Sequence, residues 1–296
     1  MECQTRLNIS DLWDFADPQA SEKIFLKKMK EHSKSAFEVW ELQTQVARAL
    51  GLQKKFIEAF HVLDSIQAGL EYAPVCESKD LVGIRYNLER GRILLITEKM
   101  EDAIRYFRFA YKLAMKINAD DLSIDAIKML LNLTSTDERI ELGLKGISIA
   151  TKRGNENLYP SIGELATGVG QAYLENKEYQ KAIEQFMHAR DIFSKLIDAE
   201  NARTSRLSIC IAQRGLGNYK EALLELRMQE EWLKKSDNLD GIIFEEIAEN
   251  LLALRHNSSS VYFCKALECF QAEGLISNME PNRISRIREL SRKNLN

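Results

Sequence analysis

The sequence predicts an all-α fold, and three observations carry that prediction. The only prolines, Pro18, Pro74, Pro160 and Pro281, all fall at gaps between periodic segments. Inside a helix, proline costs about 3 kcal/mol or more, because it lacks an N–H and clashes with the preceding turn. Between the gaps the apolar residues follow one helix face, as in Val46, Leu50, Phe56, Phe60 and Leu63, or Ile104, Phe107, Tyr111 and Ala114. The third observation is a pattern of small and large residues that recurs along the chain.

The elements follow in order. Pro18 succeeds Asp17 and opens PQASEKIFLKKMKE, as a first-turn proline should. Residues 10–34 are the expected N-terminal capping segment. Residues 35–273 hold the helix pairs, divided at TEKM (97–100), TSTDE (134–138), ENKEY (175–179), GLGNY (215–219) and HNSSS (256–260). Pro74 and Pro160 stand in further breaks, EYAPVCES and the end of NENLY. Pro281 opens PNRISRIRELSRK, with Ile284, Ile287 and Leu290 on one stripe and arginines elsewhere; residues 280–296 are the expected C-terminal capping helix. With no alternating strand and no long linker, a single domain over 1–296 is expected.

The clearest copy of the recurring pattern is GQAYLENKEYQKAIEQFMHA, with Gly170, Tyr173, Tyr179, Ala182, Phe186 and Ala189 at its marked positions. The same offsets select Gly91, Leu94, Met100, Ala103, Phe107 and Ala110, then Ala47, Leu50, Phe56, Ala59 and Leu63, then Cys210, Tyr219, Ala222 and Leu226. Ala248 and Leu251 begin another copy, whose second helix VYFCKALECF aligns after a single deletion. A degenerate third copy spans 120–153, where Gly143, Ile147 and Ala150 fit the second helix.

Over about residues 40–272 this pattern resembles the tetratricopeptide repeat (TPR). The resemblance implies a right-handed α-solenoid of about six tetratricopeptide-type helix pairs. Small residues let antiparallel helices approach, and capping helices cover ends that would otherwise expose the core. The anchors Gly170, Cys210 and Ala248 stand further apart than the roughly 34-residue norm. Such longer helices resemble those of stand-alone bacterial TPR arrays and peptide-sensing receptors.

Composition narrows the function. The chain has 296 residues, 45% hydrophobic and 29% charged, which is the balance of a folded globular chain. A net charge of −3 argues against a nucleic-acid binder. No uncharged apolar run is long enough for a membrane span. The opening MECQTRLNISDLWDFAD lacks the basic-then-apolar order of a secretory leader. Cys3, Cys76, Cys210, Cys264 and Cys269 are odd in number and contain no C-x-x-C pair, so a cytoplasmic chain is expected.

Signatures of chemistry are sparse. His32, His61, His188 and His256 lie far apart and form no metal pair. No nucleophile elbow, phosphate loop or dinucleotide fingerprint occurs. No catalytic residue, metal or cofactor is therefore expected. Cys210 fills a small-residue packing slot and reads as core. Glu245, Glu246 and Glu249 lack an opposing group for acid–base work and read as a solvated face.

The resemblance further implies that the first helix of each repeat lines the concave groove. Projected from the anchors, that wall carries Glu41, Thr44 and Arg48, then Arg85, Leu88 and Arg92, then Glu164, Thr167 and Gln171. It continues through Thr204, Leu207, Ile211 and Arg214 to Ile242, Glu245 and Glu249. The candidate partner-binding residues are Arg48, Arg85, Arg92, Glu164, Thr167, Gln171, Arg214, Glu245 and Glu249. Their charge runs from basic to acidic, which would favour one orientation of a bound segment. The Lys and Asn slots of co-chaperone clamps read Thr44, Arg48 and Glu89 here. The Asn position of peptide-sensing relatives reads Thr167 and Gly168, so neither specific mode transfers.

The expectation is a non-enzymatic adaptor or scaffold that holds a protein or peptide segment in the groove, with no nucleic-acid or membrane partner. Two alternatives stand beside it. One is a peptide-responsive regulatory receptor acting through a separate effector protein, because too few residues precede the first repeat for a DNA-binding domain. The other is a homo-oligomeric structural scaffold.

Overall fold

The computed structural model describes residues 9–32, 35–152, 156–236 and 240–292. Cys3, residues 33–34 of the expected N-terminal cap, residue 153 of the third copy and residues 293–296 of the C-terminal cap lie outside the described residues. Among those described, the secondary structure is helical throughout. Helix α1 (Pro18–His32) is followed by α2 (Ala36–Leu52) with α3 (Phe56–Tyr72), by α4 (Glu77–Ile96) with α5 (Met100–Lys116), and then in the chain by α6 (Asp120–Leu131) and α7 (Thr136–Lys152). Next come α8 (Tyr159–Glu175) with α9 (Tyr179–Lys195), α10 (Ala199–Gly215) with α11 (Tyr219–Ser236), and α12 (Gly241–Ala253) with α13 (Ser259–Ala272). Helix α14 (Pro281–Arg292) ends the series. This is the predicted all-α, TPR-like solenoid architecture of paired helices with capping helices.

The helices gather into two compact units. Unit 1 is Met1–Ser135 with Ser148–Gly154, and unit 2 is Thr136–Ile147 with Asn155–Asn296. In unit 1, Phe25 of α1 joins a core of Leu42, Val46 and Leu50 from α2, Leu63 and Ile66 from α3, and Val82 from α4. In unit 2, Cys210, Leu226, Ile243, Ile247, Phe263 and Phe270 form a core that Ile287 of α14 completes.

The small residues of the pattern sit where helices meet. A Cβ added at Gly91 would lie 2.6 Å from the Phe107 ring, and one at Gly170 would lie 2.7 Å from Phe186. Neither ring could then stay in place. Both phenylalanines are fully buried, each worth about 1.5–3 kcal/mol of stability. Met100 departs from the pattern, being largely exposed.

A single turn joins the two helices of most pairs. The N–H of Lys55 donates to Leu50 O at 2.9 Å, Lys99 to Leu94 O at 2.9 Å, and Glu178 to Tyr173 O at 2.8 Å. Asn218 bonds Gln213 O at 3.0 Å, and His256 bonds Leu251 O at 2.8 Å. Each closure satisfies a carbonyl at the helix end and forces the preceding residue into the left-handed region. Those residues are Lys54, Glu98, Lys177, Gly217 and Arg255, with φ between 54° and 84°. Only Gly217 has the residue type that this conformation favours. Among the described residues, no helix is long and apolar enough to cross a membrane.

Candidate functional site

The first helices of the pairs bring most of the predicted charged residues into ion pairs with the next first helix. In unit 1, Arg85 Nε of α4 donates to Glu41 Oε1 of α2 at 2.8 Å. Arg92 reaches both oxygens of Asp125 on α6 at 2.6 Å through Nη2, and Glu89 of its own helix at 2.5 Å through Nη1. Arg48 stands 3.9 Å from Glu89 Oε2. Its guanidinium also lies over the stacked rings of Trp13 and Phe15, at 5.2 and 5.1 Å from their centroids.

Burial disfavours the charge on Arg48 and lowers its pKa, although Glu89 opposes the shift. Burial also works against the charges of Arg92 and Asp125. Glu89 and Asp125 together outweigh it at Arg92, and Arg92 outweighs it at Asp125, so Arg92 is raised and Asp125 lowered from their ordinary values. The N-terminal part of the projected wall is therefore a neutralised network rather than an open basic patch. Thr44 and Leu88, both projected onto that wall, are buried. The Thr44 hydroxyl donates to Glu41 O and accepts from Gln45, whose side chain in turn accepts from Trp13.

Unit 2 repeats the chemistry. Arg214 of α10 holds Glu246 of α12 through Nε at 2.8 Å and Nη2 at 3.0 Å. Burial raises the Glu246 carboxyl above its ordinary value; Arg214 opposes this, and Glu245 and Glu249 on the same helix add to it. The acidic end is closed by the last helix. Arg283 of α14 donates to Glu245 at 3.0 Å through Nε, and Arg286 to Glu249 at 3.0 Å through Nη2. On α8, Glu164 and Gln171 are exposed, while the Thr167 hydroxyl bonds back to Gly163 O at 2.9 Å.

Sequence reasoning missed four members of these ladders: Asp125, Glu246 as a partner of Arg214, Arg283 and Arg286. A signal was present, because the partners on different helices lie 32 to 44 residues apart, about one repeat. Among the described residues, no group of three or more His, Cys, Asp or Glu could hold a metal ion. Burial pushes the Cys210 thiol up to about 12, far from a nucleophile's range.

These features define the class: an all-α helical-repeat protein with a TPR-like fold, whose first-helix faces carry ladders of arginine–carboxylate pairs. No protein-family model matches the sequence, and neither does any curated protein. Solved structures do match. The apo form of RapI has a TM-score of 0.70 at 14% identity, over 94% of this chain and 77% of that one. Aspartyl phosphate phosphatase F from Bacillus subtilis has a TM-score of 0.58 at 14% identity, over 97% and 76%. A Rap protein complexed with competence and sporulation factor has a TM-score of 0.53 at 14% identity, over 96% and 76%. At such identities the likeness establishes the fold.

One expectation from the sequence is corrected by this. The absence of catalytic motifs led to a non-enzymatic reading, yet a protein named for phosphatase activity carries this architecture along 97% of the chain. Motif absence is no ground for excluding catalysis in such a fold, and the exclusion is withdrawn.

Proposed function

We propose that this chain is a peptide-responsive regulatory module, whose first-helix faces receive a peptide or protein segment and relay its arrival to a separate effector protein. The observation that carries the reading is the fold shared over 96% of the chain with a Rap protein complexed with competence and sporulation factor. The proposed contacts are Arg48, Arg85 and Arg92 in unit 1, and Glu164, Thr167, Gln171, Arg214, Glu245 and Glu249 in unit 2.

The ladders suggest how a signal would be transmitted. A ligand carboxylate that competes for Arg85 must displace Glu41, loosening α4 from α2. A ligand cation that competes for Glu245 must displace Arg283, loosening α14 from α12. Binding and helix packing thus draw on the same side chains, which couples occupancy to conformation.

Affinity purification with identification by mass spectrometry tests the reading. Gln171→Arg, at an exposed position, should lose the recovered partner at an unchanged melting temperature. Arg292→Glu on α14 should retain it. Retention by the first variant and loss by the second would place the contact on the last helix and overturn the assignment.

A further inference from the structure

The second helices of unit 2 carry a cationic cluster that the first-helix contacts do not use. Glu230 of α11 is only 2% exposed, and three cations surround its carboxylate. Arg227 Nη1 lies 2.8 Å from Oε2, and Lys234 Nζ and Lys265 Nζ each lie 3.7 Å from Oε1. Tyr262 donates to the same carboxylate at 3.0 Å. Three cations thus meet two carboxylates, Glu230 and the Glu231 that pairs with Lys234, and all three cations remain well exposed.

Their placement does not depend on Glu230 alone. Arg227 and Lys265 each lie 4.5 Å from the Tyr262 ring centroid, and Lys265 lies 5.6 Å from that of Phe244. Lys234 is also held by Glu231 at 2.8 Å. Lys265 donates to no acceptor among the described residues. Arg227 uses only Nη1 in its hydrogen bonds to Glu230 and Tyr262, which leaves Nε and Nη2 for another acceptor.

We propose that Arg227, Lys234 and Lys265 form an oxyanion site that holds a phosphoryl group, with Glu230 as the internal anion that keeps the three cations converged. The free edge of the Arg227 fork fits two oxygens of one group, and the lysines act as point charges on the remainder. The phosphoryl group arrives as free phosphate or on a phosphorylated side chain. Exposed Leu224 and Met228 on α11 and Val261 on α13 occupy the same helices and would add apolar contact to a polypeptide-borne group.

Calorimetric titration of the full chain tests the site with two probes, inorganic phosphate and a phosphoserine peptide flanked by leucines, against chloride at matched ionic strength. Both probes should bind saturably. The double variant Arg227→Gln/Lys265→Gln should weaken both by about tenfold or more. Lys234→Gln, altered at a well-exposed side chain, should weaken them less at an unchanged melting temperature. It carries the comparison if the double variant fails to fold. A peptide bound at least tenfold tighter than phosphate assigns the polypeptide source, and equal affinities assign free phosphate; either result supports the site. No saturable binding of either probe, or equal binding by the parent and the folded variants, overturns it.

Discussion

The two ladders use one chemistry at two depths. In unit 1, Arg92 is 14% exposed and lies between Glu89 and Asp125. In unit 2, Arg283 and Arg286 are 43% and 50% exposed and reach onto Glu245 and Glu249 from the last helix. Breaking a buried pair strands a charge that water cannot easily solvate, whereas an exposed pair is screened and worth little. The same motif should therefore fix the helices of unit 1 internally and act as a lighter clasp between α12 and α14 of unit 2, where Arg214 and Glu246 form the deeper pair. There, burial of Ile284 and Ile287 should carry most of the attachment of α14.

Truncation after Glu280 breaks that balance most severely. Loss of the two buried isoleucines, at about 1.5–3 kcal/mol each, should destabilise unit 2 by about 3–6 kcal/mol. Hydrogen exchange should quicken along α12 and α13 while α2 to α5 stay protected. Unchanged protection throughout would mean that α14 is not a cap.

The next effect tests depth directly. Arg92→Ala should cost about 3 kcal/mol in denaturant unfolding, because Asp125 then loses its hydrogen-bonded cation and Glu89 keeps only Arg48 at 3.9 Å. Arg283→Ala removes a half-exposed guanidinium whose place water can take beside Glu245, and should cost less, about 1 kcal/mol. Comparable losses in the two variants would show that depth does not distinguish the ladders.

Packing should be indifferent to this contrast. Ala103→Phe in unit 1 and Ala182→Phe in unit 2 overfill equivalent, fully buried positions, and each should cost about 1–3 kcal/mol. Melting temperatures like the parent's would mean that the repeat register is misplaced in the unit concerned.

What the sequence made legible follows the same division. The Gly91–Phe107 and Gly170–Phe186 contacts were readable because both members lie within one helix pair, at offsets that the pair's geometry fixes. The breaks were readable because Pro18, Pro160 and Pro281 all fall at helix starts. Asp125 was not: α6 is the shortest first helix and lacks the small-and-aromatic signature, so no anchor set its register. Arg283 and Arg286 were noted only as lying off an apolar stripe. Their partners belong to a different helix pair, and pairing across repeats requires knowing which faces stack. Helix pairs are local in the chain, whereas the ladders are not.

Acidification gives the smallest and most discriminating contrast, because the units should respond with opposite signs. The pKa of Asp125 is lowered from 3.8 by Arg92, so folded unit 1 binds fewer protons than its unfolded form around that pH. The stability it contributes is complete above 3.8 and is lost as pH falls through the lower, folded value. The pKa of Glu246 is raised above 4.5 by burial, so folded unit 2 binds more protons than its unfolded form between 4.5 and that higher value. Its penalty is full above the folded value and is relieved as pH falls toward 4.5. Lowering the pH from neutral to 4.5 should therefore tighten α10 to α12 without affecting α4 to α6, and going below 3.8 should loosen α4 to α6. Hydrogen exchange corrected for intrinsic rates reads both trends in one sample. Glu246→Gln should flatten the first trend and Asp125→Asn the second. If Glu246→Gln keeps the tightening of α10 to α12, another group sets the acid response of unit 2, and the contrast between the ladders loses its electrostatic basis.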